Sequence, residues 1–439
     1  MAVEKVIEAN IVEAGYHKGF FIKNISFELS KGEILVITGR SGSGKTTLLK
    51  TLLNILHLSN GYIKGVVLIK NKPITQYSSE ELYNLISYIP QDPWYAVIGH
   101  VVYVEYCHAL SVANIKCDPK KLKIYGLDKL ENHITYGLSA GEYQRLLWAS
   151  SIDKGSEILF LDEPLIYIDS TSRSRFIGFV KKFIETGGTA IIVDHMPDNW
   201  VGFDPKILVL DKGVQKYLGP YREDLLPKPI IKIMKQTNQY KGRKPLLVSK
   251  NIWFKYPGEN YVLRNISFKA YSGEITGISG KNGAGKTTLL KILAGILKPN
   301  KGNIVRYGRI IYLPENPLLY YSYPTPREEL SASARDPREF ERITKRFSLE
   351  ELLDRPLSML SSGERRRIAL ASAFLAGYDI YLLDEPSGGL DNYSLKELLD
   401  EIMFLSKNNK AVIIASHDER LYPYFDKTCI LREGALICE

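Results

Sequence analysis

The chain is 439 residues long, with 45% hydrophobic residues, 24% charged residues and a formal net charge of +9. That length exceeds one ordinary domain and suits two of about 200 residues, each able to bury its own core, in a composition typical of a folded globular protein. No stretch approaches the ~18–20 uninterrupted apolar residues of a membrane span, and "MAVEKVIEAN" lacks a signal-peptide apolar region, so the chain is expected in the cytoplasm.

In chain order, "EILVIT" (33–38) reads as a short buried strand running into the glycine turn "GRSGSGKTTLLK" (39–50). "IKNKPITQYSSEELYNLISYIPQ" (69–91) follows as a strand and a short helix. "LSAGEYQR" (138–145) precedes strongly helical sequence, and the strands "ILFLD" (158–162) and "TAIIVDH" (189–195) end in charged residues. Each of these features recurs: "EITGIS" before "GKNGAGKTTLLK" (280–291), "LSSGERRR" (360–367), "IYLLDEP" (380–386) and "KAVIIASH" (410–417). Nine of the twelve glycine-turn positions are identical, so two copies of one domain is the economical explanation. Lys45 to Gln91 spans 46 residues where Lys286 to Glu315 spans 29, which places most of the second copy's shortening in that interval.

Short apolar strands alternating with helices indicate an α/β fold with a mostly parallel sheet covered on both faces. The expected organisation is a first domain over 1–220, a linker over 221–245 and a second, shorter domain over 246–439. The linker contains Pro227, Pro229 and Pro245 and should be extended. Residues 225–250 hold seven basic and no acidic residues; they read as a solvated connection, with contact to an anionic membrane surface or RNA as the alternative. Cys107, Cys117, Cys429 and Cys438 lack CxxC spacing and are expected to be reduced thiols.

Gly39-x4-Gly44-Lys45-Thr46 and Gly280-x4-Gly285-Lys286-Thr287 are phosphate loops in the required strand–turn–helix context. Glycines, Gly42 and Gly283 among them, let successive N–H groups and the positive helix end face an anion. Lys45 and Lys286 then reach the β- and γ-phosphates, while Thr46 and Thr287 hold Mg²⁺. Asp162 and Asp384 end buried strands beside these loops and suit the magnesium shell; Glu163 and Glu385, next in sequence, are placed to polarise an attacking water. His195 and His417 end later strands, where they can hydrogen-bond a γ-phosphate. Ser139-x-Gly141 and Ser361-x-Gly363 each offer a hydroxyl, an open backbone N–H and a helix N-terminus, a second anion-binding device in each copy.

At these residues the chain resembles the ATP-binding-cassette (ABC) ATPases over nearly all of both halves. The resemblance implies tandem P-loop cassettes, each with an inserted helical signature subdomain, that pack head to tail around two ATP molecules. One site would comprise Lys45, Thr46, Thr47, Gln91, Asp162, Glu163 and His195, closed by Ser361 and Gly363. The other would comprise Lys286, Thr287, Thr288, Glu315, Asp384, Glu385 and His417, closed by Ser139 and Gly141. Gln91 would join the metal ligands, Tyr16 and Tyr256 would stack on adenine, and Asp169 and Asp391 match the D-loop aspartate. Departures are Glu142 and Glu364 where the signature commonly has Gln, Ala140 and Ser362 at its middle glycine, and Glu315 in the Q-loop. They imply two sites that bind ATP with unequal turnover.

"PQDPWYAVIGHVVYVEY" (90–106) and "PENPLLYYSYPTPREEL" (314–330) resemble the Q-loop region of energy-coupling-factor (ECF) importers of vitamins or metal ions. That likeness implies integral membrane subunits docking at the Q-loop grooves, with Asp92 either pairing with a basic residue there or capping a turn. The alternative is a soluble ABC ATPase acting on the ribosome, in translation or recycling; against it, the connection is short and no cysteine-rich domain precedes the first cassette. Nucleic acid is not an expected partner.

Overall fold

The computed structural model describes residues 4–17, 20–93, 96–166, 168, 170–225, 243–258 and 260–438. Contacts divide the chain into two compact units, Met1–Pro227 and Lys228–Glu439. Most of the expected linker, and Asp169, lie outside the described residues.

In the first unit, β1 (Lys5–Tyr16), β2 (Phe21–Ser30), β3 (Ile34–Thr38), β4 (Gly61–Ile69), β5 (Lys72–Pro73), β6 (Ile86–Ile89), β7 (Ile158–Asp162), β8 (Thr189–Val193), β9 (Lys206–Asp211) and β10 (Val214–Pro220) form one sheet. Its order is β5-β4-β1-β2-β10-β9-β3-β8-β7-β6. Strands β9, β3, β8, β7 and β6 pair in parallel. Their central members are apolar and buried along their whole length, as a sheet covered on both faces requires. By contrast β1, β2 and β4 pair antiparallel. Their alternating burial leaves one face polar, and the sequence reading did not anticipate them. The helices are α1 (Lys45–Leu52), α2 (Ser79–Leu85), α3 (Val102–Val112), α4 (Ala140–Asp153) and α5 (Ser170–Glu185). Ser78 caps α2 in a reciprocal box with Glu81.

The second unit divides its strands between two sheets. β11 (Pro245–Phe254), β12 (Leu263–Tyr271) and β14 (Lys301–Arg306) form an antiparallel trio, in the order β12-β11-β14. β13 (Ile275–Ser279), β15 (Ile310–Leu313), β16 (Ile380–Asp384), β17 (Ala411–Ala415), β18 (Lys427–Arg432) and β19 (Ala435–Cys438) form the other, in the order β15-β16-β17-β13-β18-β19. Its helices are α6 (Lys286–Ala294), α7 (Pro326–Ser333), α8 (Pro337–Arg346), α9 (Ser362–Leu375) and α10 (Asn392–Lys407). The shortening falls where the residue count put it: β14 leads to β15 with nothing corresponding to β5 or α2.

In each unit a helical layer lies between the Q-loop and the signature helix. In the first, Tyr106 and Tyr125 both donate hydroxyl hydrogen bonds to Asp153 at the end of α4, at 2.5 and 2.8 Å. In the second, Arg342 of α8 grips the fully buried Glu401 of α10 through two bonds of 2.7 and 2.8 Å.

The cysteines correct an expectation. Instead of four reduced thiols, Cys107 is bonded to Cys117 and Cys429 to Cys438. The second pair are direct register partners across β18 and β19; the first is brought together where the chain turns back after α3. Spacing in sequence does not reveal either closure.

Candidate functional site

Each phosphate loop begins where a buried central strand ends. Gly39 and Gly280 have φ of 145° and 153°, and Gly44 and Gly285, which cap α1 and α6, have φ of 102° and 101°. A Cβ at Gly39 would collide with the Leu210 carbonyl, and one at Gly280 with that of Leu431. Only glycine serves there. Lys45 Nζ donates to the carbonyls of Gly39 and Arg40 at 3.0 and 3.1 Å; Lys286 Nζ donates to those of Gly280 and Lys281 at 2.9 and 3.4 Å. Both lysines therefore lie folded along the loop whose N–H groups would hold phosphate.

The carboxylates gather as the sequence suggested. Asp162 and Glu163 close β7, and Asp384 and Glu385 close β16, all buried. Both glutamates adopt positive φ, 49° and 46°, an uncommon backbone for a non-glycine residue. Each is held there by its N–H bonding the end of the neighbouring strand, Val193 or Ala415, at 2.8 Å. Glu163 meets His195 Nε2 at 2.8 Å and accepts from Gln91 Nε2 at 2.9 Å. Glu385 meets His417 Nδ1 at 2.9 Å and accepts from Ser416 Oγ at 2.9 Å. The histidines thus lie against the carboxylates through different ring nitrogens.

Burial, then the neighbouring Glu163 charge, pushes the Asp162 carboxyl up to about 8, with Lys45 opposing. Burial pushes Asp384 up to about 6, with Glu385 adding to it and the Thr287 and Tyr312 hydroxyls opposing. Burial followed by Asp384 and Glu385 raises Glu315 to about 8. Burial works against the charged form of Glu385 too, but His417 more than offsets it and the carboxyl is lowered.

These donors fit a magnesium–nucleotide. Asp162 Oδ1 is buried with no hydrogen-bond partner among the described residues, and a hard cation satisfies such an oxygen. Thr46, Asp162 and Gln91 in the first unit, and Thr287, Asp384 and Glu315 in the second, would hold the ion, which supplies Lewis-acid stabilisation of phosphate charge. Among the described residues no three His, Cys, Asp or Glu side chains form a metal cage; Mg²⁺ needs none where phosphates and waters complete its shell.

Tyr16 hydrogen-bonds Thr47, and the Tyr256 hydroxyl lies 3.2 Å from Thr288 Oγ1. Each tyrosine therefore stands beside its own phosphate loop. The signature residues are different. Ser139 and Ser361 cap α4 and α9, but each donates both its N–H and its hydroxyl to the glutamate three residues on, Glu142 or Glu364, at 2.8 Å. The N–H and the hydroxyl of each serine are thus engaged by that glutamate. Asp391 caps α10 by accepting the Ser394 N–H at 2.8 Å. Asp92 is 9% exposed and its charge acts on Asp162, an inward role.

Several residues that shape the site escaped sequence reasoning. Tyr312 donates to Asp384 at 3.0 Å. Arg366 of α9 donates to the carbonyls of Pro314 and Glu315, tying the signature helix to the second Q-loop, where the first unit has Gln144 bonded to the Pro164 carbonyl at 3.0 Å. Glu105 accepts from the N–H groups of Ile98 and Gly99, and Glu329 from those of Ser322 and Tyr323, so a buried carboxylate shapes the segment after each Q-loop. Comparing the two halves position by position was the available signal.

The ABC transporter family profile matches residues 22–166 and 263–388. The chain belongs to this family. It is an ATP-binding cassette ATPase with two cassettes in one polypeptide. Among its relatives, a chain from Saccharolobus solfataricus provisionally named ABC transporter ATP-binding protein SSO2030 is 26% identical, over 94% of this chain and 89% of that relative. One from Bacillus subtilis, provisionally named HMP/thiamine import ATP-binding protein YkoD, is 28% identical, over 94% and 87%. Among solved structures, RNase-L Inhibitor aligns with a TM-score of 0.66 at 23% identity, over 97% of this chain and 90% of that one. An archaeal ribosome recycling factor, aABCE1, solved with the ribosomal stalk protein aP1, aligns equally well at 23% identity, over 97% and 89%. At that identity the structural likeness shows the fold alone.

Proposed function

We propose that the chain is the ATP-hydrolysing motor subunit of a membrane ABC transporter, an importer of ECF type for a vitamin or metal ion. The observation that carries this reading is an apolar surface beside each Q-loop. In the first unit Ile98, Ile134 and Tyr136 are 78%, 63% and 74% exposed. The two segments that carry them are stitched together by a bridge between Val101 and Ile134 and by Thr135 Oγ1 donating to the Gly99 carbonyl at 2.7 Å. In the second, Leu319 and Met359 are 77% and 80% exposed, on the segments that follow the Q-loop and precede the signature, which the Leu357 N–H joins by bonding the Pro324 carbonyl at 2.9 Å. Exposed apolar side chains clustered on built segments suit a protein partner. The name of the Bacillus subtilis relative supports import.

The phosphate-loop N–H groups and Lys45 or Lys286 would bind the nucleotide phosphates, and Tyr16 or Tyr256 the adenine. Glu163 or Glu385 would orient the attacking water and take its proton, with His195 or His417 beside the γ-phosphate. On family resemblance, the signature serines and glycines would each complete the other cassette's site. Among the described residues no helix is long and apolar enough to cross a membrane, so the transport path would belong to separate subunits and the chain would sit on the membrane's cytoplasmic face. Purification from detergent-solubilised membranes tests the reading: a polytopic partner in stoichiometric amount supports it. Ribosomal proteins in its place would favour the recycling-factor alternative.

A further inference from the structure

The two hydrolytic carboxylates are held by donors of different origin. In the first unit the second oxygen of Glu163 accepts from the Q-loop side chain, Gln91 Nε2, at 2.9 Å. In the second unit the Q-loop position is Glu315, which acts on Glu385 by charge and makes no side-chain hydrogen bond to it among the described residues. There the second oxygen of Glu385 accepts instead from Ser416 Oγ, at 2.9 Å, a residue at the end of β17 that is 1% exposed. The first unit has Asp194 at that strand-end position. Its carboxylate is committed elsewhere, accepting the Met196 N–H at 2.8 Å and the Trp200 indole N–H at 2.7 Å. The exchange is reciprocal. Where the Q-loop donates, the strand end carries a carboxylate; where the Q-loop carries a carboxylate, the strand end donates.

We propose that Ser416 is the positioning residue for Glu385, taking over the task that Gln91 performs for Glu163, so that hydrolysis depends on Q-loop position in the first cassette and not in the second. A Q-loop displacement carries Gln91 away from Glu163 and leaves that carboxylate short of a donor. The same displacement in the second cassette leaves the Ser416 bond in place, because Ser416 and Glu385 directly follow the last paired residues of adjacent strands, β17 and β16. A partner pressing on both Q-loops therefore modulates one cassette and leaves the other running.

This inference rests on reading Glu163 and Glu385 as the hydrolytic carboxylates, and a control separates the two. Single-turnover hydrolysis of radiolabelled ATP is measured on the full chain, and the double variant Glu163→Gln/Glu385→Gln must be inactive; residual turnover there overturns the carboxylate reading itself. With Glu163→Gln in place, turnover reports on Glu385. Adding Ser416→Ala then lowers the single-turnover rate by about 10- to 100-fold, as expected for losing a hydrogen bond to a charged group, with ATP affinity unchanged. Adding Glu315→Gln restores the rate to within about threefold, because it rebuilds the first cassette's arrangement. A structural defect at Ser416 would not be repaired from the Q-loop. In the Glu385→Gln background, Gln91→Ala slows turnover similarly and Asp194→Ser restores it. An unchanged rate in Ser416→Ala, or failure of Glu315→Gln to restore it, overturns the proposal.

Discussion

Asp162→Asn should stabilise the nucleotide-free protein while removing a magnesium ligand. Asp162 is 2% exposed, its Oδ1 has no hydrogen-bond partner among the described residues, and its carboxyl is pushed up from 3.8 to about 8. Between those values the folded state holds a proton that the unfolded state releases. The group's contribution to stability is thus fully present below about 3.8 and is lost progressively as pH rises to about 8. At pH 7 the loss spans about 3 pH units at ~1.4 kcal/mol each, or about 4 kcal/mol. Asparagine avoids that cost but adds amide donors whose lack of partners costs about 1–3 kcal/mol, which leaves a net gain of about 1–3 kcal/mol. For a unit of this size the gain corresponds to a rise in unfolding temperature of at least about 2 °C. Scanning calorimetry in EDTA from pH 5 to pH 8.5 should show the variant gaining on the parent as pH rises, with little or no advantage at pH 5. Added Mg²⁺ and ATP should stabilise the parent and not the variant. A variant less stable than the parent at pH 8, or a difference independent of pH, would refute the reasoning.

Tyr16→Ala and Tyr256→Ala should each weaken ATP binding by about 5- to 150-fold in their own cassette, the worth of one base–aromatic stack, while the Phe variants bind nearly as the parent; fluorescent-nucleotide titration reads both. Arg342→Ala leaves the buried Glu401 carboxylate without its bidentate partner and should destabilise the second unit by about 3 kcal/mol, visible in its thermal transition. Replacing Cys107 and Cys117 together by Ala opens a closure spanning 10 residues and should cost the first unit up to about 3 kcal/mol; a denaturant titration should show the parent, but not the variant, responding to reductant at this bond.

Much of the site was legible because its chemistry demands particular residue types at fixed places. Lys45 and Lys286 need glycine turns, Asp162 and Asp384 must end buried strands, and repetition made each reading twice as strong. Less was visible where geometry, and not residue type, decides. Strand β1 alternates polar and buried residues over twelve positions, a weaker signal than the wholly apolar central strands, and its pairing with β2 and β4 is set by distant partners. The cysteine pairs close because a hairpin register and a turn bring them together. The left-handed backbone at Glu163 and Glu385 is imposed by hydrogen bonds to the neighbouring strand, which no local pattern encodes. The Ser416–Asp194 exchange was written in "IIASH" against "IIVDH", but it acquires meaning only when Gln91 and Glu315 are seen beside the same carboxylates.

The account turns on two hydrolytic centres that are similar in outline and unequal in detail. Single-turnover ATP hydrolysis by the full chain carrying Glu163→Gln, Glu385→Gln, or both, tests this most directly. The account predicts that each single variant retains turnover, at clearly different rates, and that the double variant retains none. Equal losses in the two single variants, or hydrolysis surviving in the double, would contradict it.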